Sequence, residues 1–312
     1  MLLYEHATEF AGMPVVEWEP GTRLVDPANN AYRVSLSYDE SEGGASWEEK
    51  FKALLADPGA REVKALVVGV WGDLSGPLEG SSKTVEALAA ASGRLPGLRA
   101  LFLGDIVSEE HEISWIQQSL VLPIFTAYPE LEHFRVRGGE GLRFGTFRHE
   151  RLKSLVVESG GLDASVVRDI TSSELPSLEH LELWLGDSNY GATAEIVDLA
   201  PIFTGRLFPK LSYLGLRDSE LSDAIAVAVA HSPVIEQLRV LDLSLGTLSD
   251  SGAASFLSSP AARLELLDIH HHYCSDEMIE KLKAAGIKVD AGDPQEPDRD
   301  GDEFYRYVAV SE

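Results

Sequence analysis

The chain has 312 residues, 44% of them hydrophobic and 25% charged, with a formal net charge of −25. That composition suits a folded globular protein, and the length alone suggests about two domains. So acidic a surface repels phosphate backbones, which argues against nucleic acid or an anionic membrane as partner. The opening MLLYEHATEF has acids and a histidine where a secretory signal needs a basic region and an apolar run. No apolar stretch approaches the roughly 18 residues of a membrane span, and a single cysteine fits a reducing compartment. The expectation is a soluble, cytoplasmic protein.

Residues 1–45 contain two strand-like stretches, MPVVEWEP and AYRVSLSY, expected to cap the N-terminal end of a stack of repeats. Beyond residue 45 the chain is repetitive. An L-x-x-L-x-L template begins at Leu98, Leu131, Leu152, Leu178, Leu211, Leu238 and Leu264, reading LRALFL, LEHFRV, LKSLVV, LEHLEL, LSYLGL, LRVLDL and LELLDI. A weaker copy, VKALVV, starts at Val63. From Val63 onward the steps are 35, 33, 21, 26, 33, 27 and 26 residues, which brackets the period of leucine-rich repeats with insertions. Helical stretches are expected at 46–56, 84–92, 114–128 and 276–286. Leu221-Ser222-Asp223, Leu248-Ser249-Asp250 and Cys274-Ser275-Asp276 fall at the same place in three successive units and read as helix starts.

One strand and one helix cannot bury their apolar faces alone, so such units stack, with strands in a parallel sheet and helices outside. The expected fold is an α/β leucine-rich-repeat solenoid over 46–290, a horseshoe with a curved parallel sheet on the concave face and helices on the convex face. An acidic linker and strand-like tail over 291–312 would complete the chain. Units of 26 to 28 residues with a full helix resemble the ribonuclease-inhibitor-like class of leucine-rich repeat. LRALFLGDIVSEEHEISWIQQS, LEHLELWLGD, LDLSLGTLSD, LDIHHHYCSDEM and RYVAVSE also resemble an uncharacterised bacterial leucine-rich-repeat family over nearly the whole chain. That resemblance implies a bacterial protein encoded near radical-SAM-like and ATP-grasp-like enzymes, and it carries over no catalytic residue.

The register assigns each side chain a face, because successive strand residues point in opposite directions. Residues expected to project from the concave face are His133, Arg135 and Arg137, then Ser154, Val156 and Glu158, then His180, Glu182 and Trp184. Tyr213 and Arg217, Asp242 and Ser244, and Asp268 and His270 complete the strip. Exposed Trp, Tyr and Arg favour binding hot spots, and the strip is graded from basic at Arg135 and Arg137 to acidic at Asp242 and Asp268, which would orient a charged peptide.

The triplet His270-His271-His272 cannot converge on one ion from consecutive positions, although His270 with nearby carboxylates keeps a zinc site open. His272 takes the turn position of the template, and Cys274 takes its last leucine position and is expected to be a buried hydrophobe. GPLEGSSKT (76–84) lacks the spacing of a phosphate loop and reads as a loop before a helix. RGGEGLRFG (137–145) reads as an insertion that tightens the short repeat. DPQEPDRDGDE (293–303) lacks the twelfth-position glutamate of a calcium loop, having Tyr307 there, and FYRYVAVSE reads as a strand returning to a sheet edge. Asp105 and the Glu109–Glu112 stretch read as a loop and first helical turn, with a metal or partner contact as the alternative.

These residues support two functions. The first is a non-catalytic scaffold holding a protein or peptide on the concave strip, with no cofactor and no assigned metal or catalytic residue. The second is a metal-assisted enzyme built from His180, Glu182, Asp242, Asp268 and His270.

Overall fold

A computed structural model of the chain describes residues 3–74, 78–301 and 303–311; Gly76 and Pro77 of the GPLEGSSKT reading lie outside them. The described residues are mixed α/β, with twelve mostly parallel strands following chain order, nine α-helices and a separate short hairpin. They form two compact units, Met1–Val157 and Glu158–Ser311. No helix among them is long and apolar enough to cross a membrane.

In the first unit, β1 (Glu9–Phe10) and β2 (Met13–Glu17) pair antiparallel through a tight turn. Parallel to β2 run β3 (Ala31–Val34), β4 (Ala65–Val68), β5 (Ala100–Leu103) and β6 (His133–Arg137), with β7 (Ser154–Glu158) next in order. Tyr32, Leu66, Leu101 and Phe134 are in register and buried. The alternate residues form two rows on the opposite face: Ala31, Ala65, Ala100 and His133, then Arg33, Val67, Phe102 and Arg135. Four helices accompany these strands: α1 (Tyr38–Glu42), α2 (Trp47–Ala56), α3 (Ser82–Ala90) and α4 (Leu122–Ala127). Ser46 caps α2 by accepting the Glu49 N–H, as a serine before an apolar helical run should.

The helix expected over 114–128 is broken. A 3-10 turn covers Ile113–Trp115, and α4 takes only the last third. Between them the backbone pairs with the glycine-rich insertion: Gln118 N donates to Glu140 O at 2.7 Å and Val121 N to Arg143 O at 2.9 Å. The Gln118 side chain also donates to Arg137 O at 2.7 Å. Pro123 lacks an N–H and is tolerated in the first turn of a helix, so α4 can begin at Leu122 but cannot extend back through it. The 137–145 insertion therefore supplies partners, from Arg137, Glu140 and Arg143, for an extended segment, beyond the shortening of a repeat.

In the second unit, β8 (His180–Gly186), β9 (Tyr213–Ser219), β10 (Val240–Asp242), β11 (Leu266–Asp268) and β12 (Val289–Asp290) are parallel neighbours. Leu181, Leu214, Leu241 and Leu267 align across them and are fully buried. The helices are α5 (Ala164–Thr171), α6 (Ile196–Phe203), α7 (Ser222–Ala230), α8 (Asp250–Ala253) and α9 (Asp276–Ala284). Of the recurrent Ser-Asp pairs, Ser249 and Ser275 cap α8 and α9 while Ser222 lies inside the first turn of α7, and the pairs also link successive units. Asp223 accepts both the backbone N–H and the hydroxyl of Ser249 at 2.7 Å, and Asp250 does the same for Ser275. Each aspartate thus stitches its helix start to the next, a reason for the pair to recur at a fixed place.

The tail differs from expectation. The acidic stretch contains a small exposed hairpin, β13 (Asp298–Asp300) with β14 (Glu303–Tyr305). The residues after it run over the loops at the ends of β9, β10 and β11, and no sheet edge is extended by them.

Candidate functional site

Part of the expected strip converges into one network on the second unit, on the face opposite the aligned leucines. Gly215 of β9 sits opposite Glu182, and an added Cβ there would meet both the Glu182 Cγ and the Tyr213 ring at 3.1 Å. The missing side chain lets the His180 and Tyr213 rings stack, 3.9 Å apart and 10° from parallel. The Tyr213 hydroxyl donates to Asp242 Oδ2 at 2.6 Å and lies 3.3 Å from Glu182 Oε2. Arg217 donates from Nη1 to Glu182 Oε1 at 2.9 Å and from Nε to the Ser244 hydroxyl at 2.9 Å, with Asp242 Oδ2 at 3.3 Å. Trp184 Nε1 donates to Glu182 Oε1 at 2.7 Å, and its ring lies 5.2 Å beneath the guanidinium. On the neighbouring β11 and the loop after it, Asp268 holds the His270 ring at 2.8 Å.

Burial sets the electrostatics. It would raise the Glu182 carboxyl, but the hydrogen bond from His180, the Arg217 charge and the Trp184 N–H outweigh it and hold the group down to about 2. Burial and then the Glu182 and Asp242 charges push the Tyr213 hydroxyl upward. For Arg217, burial opposes the charge, and the same two carboxylates more than restore it. Two anions and one cation leave the network acidic. Its open edge presents His180 and His270, whose side chains are 33% and 30% exposed, together with half-buried Tyr213, Arg217 and Asp268. This edge can stack on a ligand and exchange hydrogen bonds with it.

Trp184, expected as an exposed hot spot, is only 2% exposed. It is a wall of the network, because its N–H finds a partner by turning inward. Glu158 and Arg137, expected to project, are likewise buried at the ends of β7 and β6. The five residues of the metal-assisted alternative do not meet around a common point. The Tyr213 hydroxyl and Arg217 stand between Glu182 and Asp242, while Asp268 and His270 engage each other. Among the described residues no group of three or more His, Cys, Asp or Glu is arranged to hold a metal ion.

The histidine triplet diverges, though not by strand alternation, since it lies past the end of β11 with His271 left-handed at φ 57°. His270 faces Asp268, His271 faces Asp293 at 3.4 Å, and His272 is buried between the Cys274 N–H and Ala291 O. Burial lowers the affinity of His272 for a proton. Cys274 is buried, and burial together with the charges of Asp250 and Asp223 pushes its thiol up to about 12, the opposite of an activated nucleophile.

The first unit is organised differently. Its own residues 3–11 cover the face where the alanine row lies: Phe10 packs on Phe102, with Ala31, Ala65, Val67 and Ala100 beneath. Asp105, fully buried, accepts the Ala7 N–H at 3.2 Å and the Arg33 Nε at 3.0 Å. Arg33 also binds Glu17 at 2.8 Å, and His6 lies 3.4 Å from Glu110. Burial would raise Glu110, but the His6 hydrogen bond and charge, the Val107 N–H and Arg33 hold it below the ordinary range. The 104–112 stretch is thus a loop clamping the N-terminal segment, and the helical turn expected there is absent apart from Ile113–Trp115. Beside Phe10, His133, Arg135, Ser154 and Val156 line a cavity of about 190 Å³. Sequence reasoning missed Arg33 and the covering segment. The signal was there in Ala31, Ala65 and Ala100, which are too small to fill the face themselves.

The fold and the network define a mostly parallel α/β protein with a polar network on its sheet. No protein-family model and no curated protein matches the sequence. Among solved structures, a crystal structure of a Bacteroides fragilis protein is 33% identical, with a TM-score of 0.80 over 89% of this chain and 76% of that one. This chain belongs to the same family as that Bacteroides fragilis protein.

Proposed function

We propose that the chain is a leucine-rich-repeat scaffold that binds a protein or peptide on the sheet face opposite its leucines. The carrying observation lies in the first unit, whose face already holds a peptide-like segment of this same chain. Leu3 O accepts the Ser108 N–H at 2.9 Å, Ala7 N–H meets the Asp105 carboxylate, and Phe10 sits on Phe102. Backbone hydrogen bonds combined with an aromatic anchor are how grooves take peptides. On the second unit, the corresponding face presents His180, Tyr213, Arg217, Asp268 and His270 for a partner, and its acidic balance favours a basic one.

The test uses a labelled peptide of sequence LYEHATEFA, residues 3–11. In the native chain the tethered segment competes at an effective concentration of the order of millimolar. Full-length Phe10→Ala, with its own anchor removed, is expected to bind the peptide saturably by fluorescence anisotropy, while the native chain does not. Equal binding to both, or to neither, would contradict the reading.

A further inference from the structure

Three strand ends of the second unit, the end of β9 and the loops after β10 and β11, share a backbone device. Asp218, Leu245 and His271 each stand seven residues after a template leucine, at 211, 238 and 264, and have φ of 50°, 66° and 57°. Non-glycine residues hold this left-handed conformation only where their surroundings enforce it. Each comes directly after a residue of the network or its rim: Arg217, Ser244 and His270.

The C-terminal segment bonds all three strand ends. Ala309 N donates to Leu245 O at 2.8 Å, and Val310 N to Asp218 Oδ1 at 2.9 Å. Tyr307 O lies 3.4 Å from His271 Nε2. Tyr307 N donates to the Tyr273 hydroxyl at 2.9 Å, which donates back to Tyr307 O at 3.0 Å. Arg306 reaches Asp223 at 3.0 Å and Thr247 O at 2.7 Å. Val308 and Val310 are buried.

We infer that Asp218 and the segment Arg306–Val310 are positioning elements for the second unit's network: the segment straps the three strand ends, and Asp218, through Val310, sets the direction in which Arg217 leaves β9. The inference rests on the proposed binding role of that network, but its test is read without any partner. Asp218 is fully buried, and its Oδ2 has no hydrogen-bond partner. The charged groups around it are Arg217 on its own strand and Asp187 from the loop after β8, with the Val310 and Ala309 N–H groups from the tail. Burial pushes the carboxyl well above the ordinary range, against the Val310 N–H, Arg217 and Ala309. A raised folded value means that burial of Asp218 favours the folded chain at acid pH and that this contribution is lost as pH rises and Asp218 ionises, even though the Val310 and Ala309 N–H bonds themselves favour the ionised form.

Amide exchange of the full chain, corrected for intrinsic rates, tests this. Val310→Pro removes the N–H that Asp218 accepts. Exchange at Asp218, Thr247 and His271, whose amides bond Ser244 O, Ser219 O and Gly292 O, should quicken about tenfold, as expected for one or two lost hydrogen bonds. Asp218→Asn keeps the Oδ1 acceptor, so these amides should stay slow. The inference is overturned if Val310→Pro quickens exchange only within 303–311, or if Asp218→Asn loosens the loops as much as Val310→Pro. Should Val310→Pro fail to fold, Arg306→Ala carries the same comparison, and loops that stay protected in it overturn the inference equally.

Discussion

Replacing Arg217 with methionine should be among the most damaging single changes in the second unit. Methionine keeps an unbranched side chain of similar length and removes the charge that Glu182 and Asp242 share, along with the guanidinium over Trp184. Both carboxylates are buried, at 8% and 4% exposure, and stripping one partner from a buried ionic group costs about 3–5 kcal/mol. The Glu182 shift gives an independent scale: holding it at about 2 against an ordinary 4.5 corresponds to about 3 kcal/mol, shared with His180 and Trp184. The expected loss is therefore about 3 kcal/mol at neutral pH, read by urea unfolding. It should shrink as pH falls, because protonation removes the uncompensated charge. It should also shrink when Glu182→Gln and Asp242→Asn are added. A loss below about 1 kcal/mol, or one independent of pH, would refute the claim that Arg217 is what makes the buried carboxylates tolerable.

Glu182→Gln in the native background should flatten the acid limb of the stability curve. Its folded value is depressed, so its contribution is complete above about pH 4.5 and lost as pH falls toward about 2; an unchanged acid limb would argue against that shift. Asp250→Ala breaks the stitch to Ser275 and should cost about 1–2 kcal/mol by thermal or urea unfolding, more than an ordinary exposed helix residue. Cys274 should resist a thiol reagent until the protein unfolds, given its burial and raised thiol; rapid labelling at pH 8 of folded protein would contradict its placement. Gly186→Ala should be severely destabilising, since at its φ of +74° a Cβ would collide with the Gly160 and Gly161 backbone; wild-type-like unfolding would rule that packing out.

Much of the strand arrangement was legible because leucine spacing is a local signal. Leu181, Leu214, Leu241 and Leu267 align as their template positions require. The same register gathered His180, Glu182, Tyr213, Arg217 and Asp242 onto one face. What it could not give is depth. Trp184 shares their face, yet turns inward because the Glu182 carboxylate offers its N–H a partner. The broken helix at 114–128 was hidden for a similar reason: its apolar spacing is helical, and only the non-local bonds to Glu140 and Arg143 show why the chain stays extended. The Ser-Asp pairs were visible as helix starts, but the bond from each aspartate to the next repeat's serine depends on stacking that no single unit reveals. The strands expected in MPVVEWEP and AYRVSLSY stand as β2 and β3 at the start of the sheet, but the segment before them covers the face of its unit and the C-terminal residues strap strand ends; neither of those two locations is encoded in local periodicity.

The central claim is that the second unit's face holds a partner. Quantitative affinity capture from extract of the source cells, with the full-length chain beside His180→Ala/His270→Ala, addresses it most directly. These two side chains are half-buried at the open edge, so the variant should keep its fold by circular dichroism. The account predicts a protein enriched by the native chain and lost from the double variant, and then shown to bind the purified chain directly. The same proteins recovered equally with both, or none recovered with either, would contradict it.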